Sequence, residues 1–126
     1  LKKITRKKLV KDLDNIFSKY IRARDGKCIV CGTTVNLQNG HLFSRKAFST
    51  RWSEINCSTQ CRNCNYIHTF DFEPYRNAFV KKYGQEQYDK LYLKFKSPLK
   101  ISNSELELMI LYYKNKLKDL ERNEKR

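Results

Sequence analysis

The sequence predicts one α+β domain. Three observations carry that reading: apolar residues recur at helical spacing near both ends of the chain, the periodicity stops between Thr33 and Gln60 in favour of short β-prone pieces, and two C-x-x-C pairs bracket that middle. A chain of 126 residues is long enough for a single core and short for two. The domain then divides into an N-terminal helix within 1–27, a cysteine-bound middle over 28–70 and C-terminal helices over 71–126.

From Arg6 to Arg24, Leu9, Leu13, Ile16, Phe17, Tyr20 and Ile21 recur at three- and four-residue steps, with Thr5 placed to cap the helix and Gly26 to stop it. In the middle, TVNL, GHLF and EIN alternate with turn formers, which reads as an irregular hairpin whose second strand lies near Ile55 and Asn56. The second cysteine pair opens a short helix through Asn65 and His68. In EPYRNAFVKKYG, Pro74 near the first turn and Gly84 just past the end frame another helix. A further helix from Glu86 to about Phe95 is expected to bury Tyr88, Leu91, Tyr92 and Phe95. SPLKIS breaks the pattern, and Ser102 with Glu105 has the spacing of a capping box for the last helix. Its apolar stripe is Leu106, Met109, Ile110, Tyr113, Leu117 and Leu120, and the charged tail ERNEKR is expected to fray. No repeat, low-complexity tract or linker interrupts the chain.

Charge narrows the function. Twenty-seven Lys and Arg against 13 Asp and Glu leave a formal charge of +14, whose self-repulsion points to a polyanionic partner. Nucleic acid is the leading candidate, with basic ends at Lys2 to Lys11 and Lys114 to Arg126 suited to a phosphate backbone or simply to solubility. A membrane partner is disfavoured, because no apolar run approaches the roughly 18 residues of a spanning helix and LKKITRKKL leads into no signal-peptide core. A soluble intracellular protein is expected.

Cys28 and Cys31 form one C-x-x-C, and Cys61 and Cys64 the other, separated by residues 32–60. A two-residue spacer lets both thiolates of a pair turn toward one tetrahedral centre, and two pairs supply the four ligands of a structural zinc site. Redox pairs or ordinary buried thiols explain a single C-x-x-C more readily than two matched ones. Gly32 follows the first pair where a tight turn is useful, and Cys57 is left over, so the five cysteines cannot all pair as disulfides within one chain.

Zinc bound at both ends of the loop-rich middle brings the hairpin carrying His41 against the helix carrying Asn65 and His68, which lie three apart on one helical face. His41, Asn56, Asn65 and His68 then form a cluster able to serve a hydrolytic metal site. Mg²⁺ or Mn²⁺ prefers oxygen ligands, keeps several waters and takes substrate phosphate into its sphere, so few protein ligands are needed. A neutral imidazole beside such an ion takes a proton from water near neutral pH.

These residues resemble the HNH, ββα-metal or His-Me finger, nucleases, and the run NGHLFSRKAFSTRWSEINCSTQCRNCNYIH resembles more closely the NinG or Rap recombination proteins of lambdoid phages. The positions that carry it are Gly40, His41, Ser44, Arg45, Arg51, Asn56, Gln60, Cys61, Cys64 and Asn65, and the resemblance spans about Cys28 to Tyr83. It implies a zinc-stapled ββα-metal core flanked by helices, and a metal-dependent endonuclease acting on branched DNA such as Holliday junctions in the cytoplasm of a bacterial host. By similarity to the junction-resolving endonuclease VII group, it also implies His41 as general base and Asn65 as a ligand of a Mg²⁺ or Mn²⁺ ion; His68 sits where that group carries an acidic residue and HNH enzymes often a metal-binding His, and Asn56 is the central Asn of the catalytic set. Where many members carry an Asp shortly before the His, this chain has Gln38 and Asn39, so Gln38 is a candidate ligand through its amide oxygen, with Asp71 or Glu73 as compensating acids. Ser44, Arg45, Lys46 and Arg51 are the candidate DNA contacts. Partner recombinases and a homodimer are also implied, since two cuts across a four-way junction are most simply made by two copies. The apolar last helix suits a dimer face or a cap on the core.

Each residue also has a plainer role. His41 can be a satisfied turn histidine, His68 a phosphate or structural contact, Asn56 a hairpin cap, Arg45 and Arg51 solvated charges, and Trp52 and the tyrosines core, with one or two stacking on exposed bases. The rival functions are a non-catalytic zinc-stapled DNA-binding protein and a sequence-specific HNH endonuclease.

Overall fold

The structure, a computed structural model, describes residues 3–124; Lys2 at the start of the basic N-terminal stretch and the last two residues of ERNEKR lie outside them. The elements run α1 (Arg6–Asp25), β1 (Leu37–His41), α2 (Phe48–Arg51), β2 (Cys57–Cys61), α3 (Arg62–His68), α4 (Glu73–Tyr83), α5 (Gln85–Lys96) and α6 (Asn103–Glu124). The architecture is α+β: among the described residues, six helices surround one antiparallel pair, with Gly40 opposite Ser58 and His41 opposite Cys57.

The helix ends are where local chemistry puts them. The Thr5 side chain accepts the Lys8 N–H, a cap worth about 1 kcal/mol, and Gly26 closes α1 by donating its N–H to the Arg22 carbonyl. Ser102 and Glu105 complete the capping box of α6: the Glu105 N–H bonds to Ser102 Oγ while Glu105 reaches back to the Ser102 N–H. Pro74 sits in the first turn of α4, and Gly84 follows its last residue.

Two apolar clusters grip the hairpin. In the first, α6 lies along α1, and Leu9, Leu13, Phe17, Ile21 and Leu106 pack with Trp52 and Cys57 from the middle of the chain. Phe17 meets Tyr113 edge-on, ring centroids 4.8 Å apart, a geometry worth about 1 kcal/mol beyond its buried area. In the second cluster, Leu42 and Phe43, just past β1, pack on Tyr75, Phe79 and Leu91. The last helix therefore caps the core with Leu106 and Tyr113, while Leu108, Leu111 and Tyr112 face outward.

Three sequence expectations need correction. The second strand is Cys57–Cys61, just after Ile55 and Asn56; the Asn56 carbonyl still accepts the Leu42 N–H at 2.8 Å, while its side chain is bonded to the loop. Ser58, Thr59 and Gln60 form the body of that strand and are fully buried although polar. The Thr59 hydroxyl donates to the Ile21 carbonyl and its N–H to Asp25, so α1 supplies on one face the partners that water would otherwise provide. Tyr92, expected inside α5, is 42% exposed. The four-residue α2 was not foreseen; it is too short to show a period.

Candidate functional site

The four paired cysteines meet where the first knuckle reaches the junction of β2 and α3. Their Sγ atoms all lie within 4.8 Å of one another, and Cys31 Sγ is 3.7 Å from Cys61 Sγ. A tetrahedron with zinc–sulfur bonds of about 2.3 Å has edges of about 3.8 Å, so the arrangement fits such an ion. Each knuckle turns an amide inward, Cys31 N–H toward Cys28 Sγ and Cys64 N–H toward Cys61 Sγ. Burial raises the Cys28 thiol, but the backbone amides around it, that of Cys31 foremost, bring it down to about 7 and favour the thiolate a metal requires. Cys57 stays outside the cluster as a fully buried thiol whose ionisation burial suppresses.

Beside this staple, an open groove of about 960 Å³ runs between α1, the end of β1 and α3. Gln38, His41, Ser44, Arg45, Asn65 and His68 all line it, so hairpin and helix do bring these residues together. His41 ends β1, and its Nε2 is 2.9 Å from the Arg51 carbonyl oxygen. A carbonyl only accepts, so Nε2 carries a proton, and in the neutral ring Nδ1 holds the lone pair. That Nδ1 has no protein partner and is not among the buried unpartnered atoms, which leaves it open to the groove. Burial pushes the His41 pKa below the ordinary imidazole value; the Arg51 carbonyl opposes this, and the nearby Arg45 charge adds to it.

The residue whose carbonyl orients His41 is itself held in place. Arg51 makes a two-pronged ion pair with Asp14 of α1, and the Trp52 indole donates to the same carboxylate at 2.9 Å. The Cys57 thiol donates to the Arg51 carbonyl at 3.5 Å. Arg51, expected to contact DNA, is thus a structural cation: Asp14 takes up its guanidinium, and its side chain is mostly buried. Ser44, Arg45 and Lys46 remain exposed on the loop after β1. Asp14 was missed from sequence; a carboxylate adjoining the apolar stripe of a helix was its only signal.

Asn56 is 0% exposed and does not line the groove. Its side chain accepts the Phe43 N–H at 2.9 Å and donates to the Phe43 and Thr50 carbonyls at 3.1 and 3.0 Å, which closes the loop between His41 and its supporting carbonyl. Its place is therefore that of a positioning residue. Asn65 and Gln38 face each other across hairpin and helix, with Asn65 Nδ2 donating to Gln38 Oε1 at 2.8 Å. That leaves the Asn65 amide oxygen as a metal-capable donor on the groove. His68 does not offer one. Its Nε2 lies 2.9 Å from the Leu42 carbonyl, its Nδ1 is buried without a partner, and its ring packs on Phe72 and Tyr75. Asp71 and Glu73 are exposed and do not line the groove. Among the described residues, the only His, Cys, Asp or Glu group gathered closely enough to hold an ion is that of the four cysteines.

The residue directly before His41 is held to glycine by a steric contact. A Cβ on Gly40 would lie 2.2 Å from Gln60 Oε1, so the buried Gln60 side chain closes that position to any residue but glycine.

Fold and site together define a small α+β protein in which paired cysteines pin a strand–strand–helix unit with a half-buried, neutral-leaning histidine at its mouth. The chain matches the family model for the Bacteriophage Lambda NinG protein over residues 1–124, and it belongs to that family. It is 32% identical over 87 residues to protein ninG of Escherichia phage lambda, and equally to those of Escherichia phage 933W and Enterobacteria phage VT2-Sa. The match takes in 65% of this chain and 43% of each relative, so the chain spans less than half the length of the curated relatives it matches. No solved structure matches it. No helix among the described residues is long and apolar enough to cross a membrane.

Proposed function

We propose that this chain is a metal-dependent, structure-selective DNA endonuclease of the NinG/Rap type, acting on branched recombination intermediates such as Holliday junctions within the phage's host cell. The observation that carries the proposal is the state of His41. Its Nε2–H is engaged by the Arg51 carbonyl and its Nδ1 is open to the groove, so the ring is a neutral base aimed at the place where a water and a phosphate would meet.

In this reading His41 Nδ1 accepts the proton of the attacking water. Asn56 and the Asp14–Arg51 pair keep the imidazole oriented. Asn65, with the amide of Gln38 beside it, would hold a Mg²⁺ or Mn²⁺ ion, with DNA phosphate and water supplying the remaining donors. Such an ion, when bound, neutralises charge that develops on the phosphate and the leaving oxygen. The protein donors at this ion are uncharged, so the phosphates contribute much of its binding. Arg45, Lys46 and Ser44 contact the backbone on the loop side. The four cysteines hold zinc and keep hairpin and helix in register.

The test is cleavage of labelled four-way junction, flap and linear duplex DNA with Mg²⁺ or Mn²⁺, by zinc-loaded wild type and His41→Ala. Loss of a general base costs about 10²–10⁴-fold in rate, so the variant should bind and fail to cut. Binding without cutting by the wild type under either metal would instead leave a non-catalytic DNA-binding module.

A further inference from the structure

The groove carrying His41 shares a wall with a second cavity that the cleavage chemistry leaves unused. This neighbour, of about 770 Å³, lies on the far side of Gln38, Asn65 and Thr69, which line both. Its size falls within the ~300–1,000 Å³ of small-ligand sites. Four carboxamides line it, from Asn36, Gln38, Asn63 and Asn65, together with Arg62 and the ring of Tyr66, and no acidic side chain does. Tyr66 is 66% exposed, and one helical turn on, Phe70 is 69% exposed, with ring centroids 5.6 Å apart. Neither aromatic belongs to either apolar cluster, so packing does not account for them.

Amide side chains pair with the donor and acceptor edges of nucleobases, and an exposed tyrosine ring is a stacking platform for a base of any identity. A neutral amide lining with one arginine suits an aromatic heterocycle attached to a phosphodiester better than it suits a free anion or an apolar ligand. We infer that this cavity is a nucleobase-binding site: it receives an unpaired or unstacked base, stacked on Tyr66 and bonded at its edge by Asn63 and its neighbours, while the adjoining phosphate enters the His41 groove. In an intact duplex every base is stacked and paired, whereas a branch point or bulge offers free ones. The cavity would thus supply the structural selectivity that the phosphate groove alone lacks. The inference rests on the DNA-binding part of the proposed function and is independent of cleavage.

The test uses the full chain carrying His41→Ala, so that no DNA is cut, and two fluorescent probes: a linear duplex, and the same duplex with one unpaired 2-aminopurine bulge. The site predicts tighter binding of the bulged probe and a change in its 2-aminopurine emission. Adding Tyr66→Ala should weaken the bulged complex about tenfold and abolish the emission change, with duplex binding and melting temperature unchanged. Asn63→Ala, at a second exposed position, should reduce the preference more weakly in the same direction. Equal weakening of both probes, no effect of either variant, or no preference for the bulge would overturn the inference. If wild type cuts no DNA while these differences persist, the endonuclease reading fails and the base site stands.

Discussion

The two histidines of this chain make the same bond and end in opposite situations. His41 at the end of β1 and His68 at the end of α3 each place Nε2 2.9 Å from a backbone carbonyl, that of Arg51 and that of Leu42. What differs is the second nitrogen. On His41 it opens to a polar groove; on His68 it is buried against Phe72 and Tyr75. An identical anchoring bond therefore yields a candidate base in one place and a packing residue in the other, and the decision is made by what covers the far edge of the ring.

The largest expected effect removes the frame that both rings share. Zinc sites of this kind contribute about 10–16 kcal/mol of apparent binding energy in small domains, so chelation should unfold the hairpin–α3 unit and abolish DNA cleavage, as followed by circular dichroism. A chain that keeps its far-ultraviolet spectrum and melting temperature after zinc is stripped would show the staple to be dispensable. Next comes His68→Ala, which removes a packed ring and leaves the Leu42 carbonyl unpartnered. A loss of about 2–3 kcal/mol is expected in denaturant titration, with the folded fraction still cutting. If cutting vanishes while stability holds, His68 belongs at the metal and the contrast between the rings collapses.

A finer test is pH. The base must be neutral, and burial holds the His41 pKa below its ordinary value, so the acid limb of the cleavage rate should fall below about pH 6.5. Stability follows the same sign: the unfolded chain binds the proton more readily, so the contribution of this site is present above that pH and declines as the pH drops toward the folded value. A limb above the ordinary imidazole value would mean that a charged neighbour, not burial, sets the base. The smallest effect separates two arginines of one loop. Arg45→Ala should weaken DNA binding modestly and lower the slope of log affinity against log salt by about one, whereas Arg51→Ala should act mainly on melting temperature, because its guanidinium is held by Asp14.

What could be read from the sequence was what local chemistry decides. Caps at Thr5 and Ser102, the stop at Gly26, Pro74 in a first turn and the spacing of the cysteines each act over a few residues, and the structure follows them. What escaped depends on partners far along the chain. Ser58 to Gln60 are polar and carry no local sign of burial, yet they are fully buried, with α1 supplying the partners of Thr59. Arg51 reads as a free cation until Asp14, 37 residues earlier, is brought beside it. The groove itself was anticipated through His41, Asn65 and Gln38, while Asp14 and the shared Arg51 carbonyl, which orient the ring, were not.

The contact between Gly40 and Gln60 has a consequence for how this site can change. The two positions are diagonal neighbours across the hairpin, Gly40 opposite Ser58 and Gln60 opposite Gln38, with no room for a Cβ at one while the long amide occupies the other. Placing a carboxylate directly ahead of His41 therefore takes two steps in a fixed order: position 60 must shorten before position 40 can branch. On a map of single substitutions that route begins with a cavity in the core, a loss before any gain, so position 40 stays glycine while a change of charge beside His41 is open only at its other neighbours.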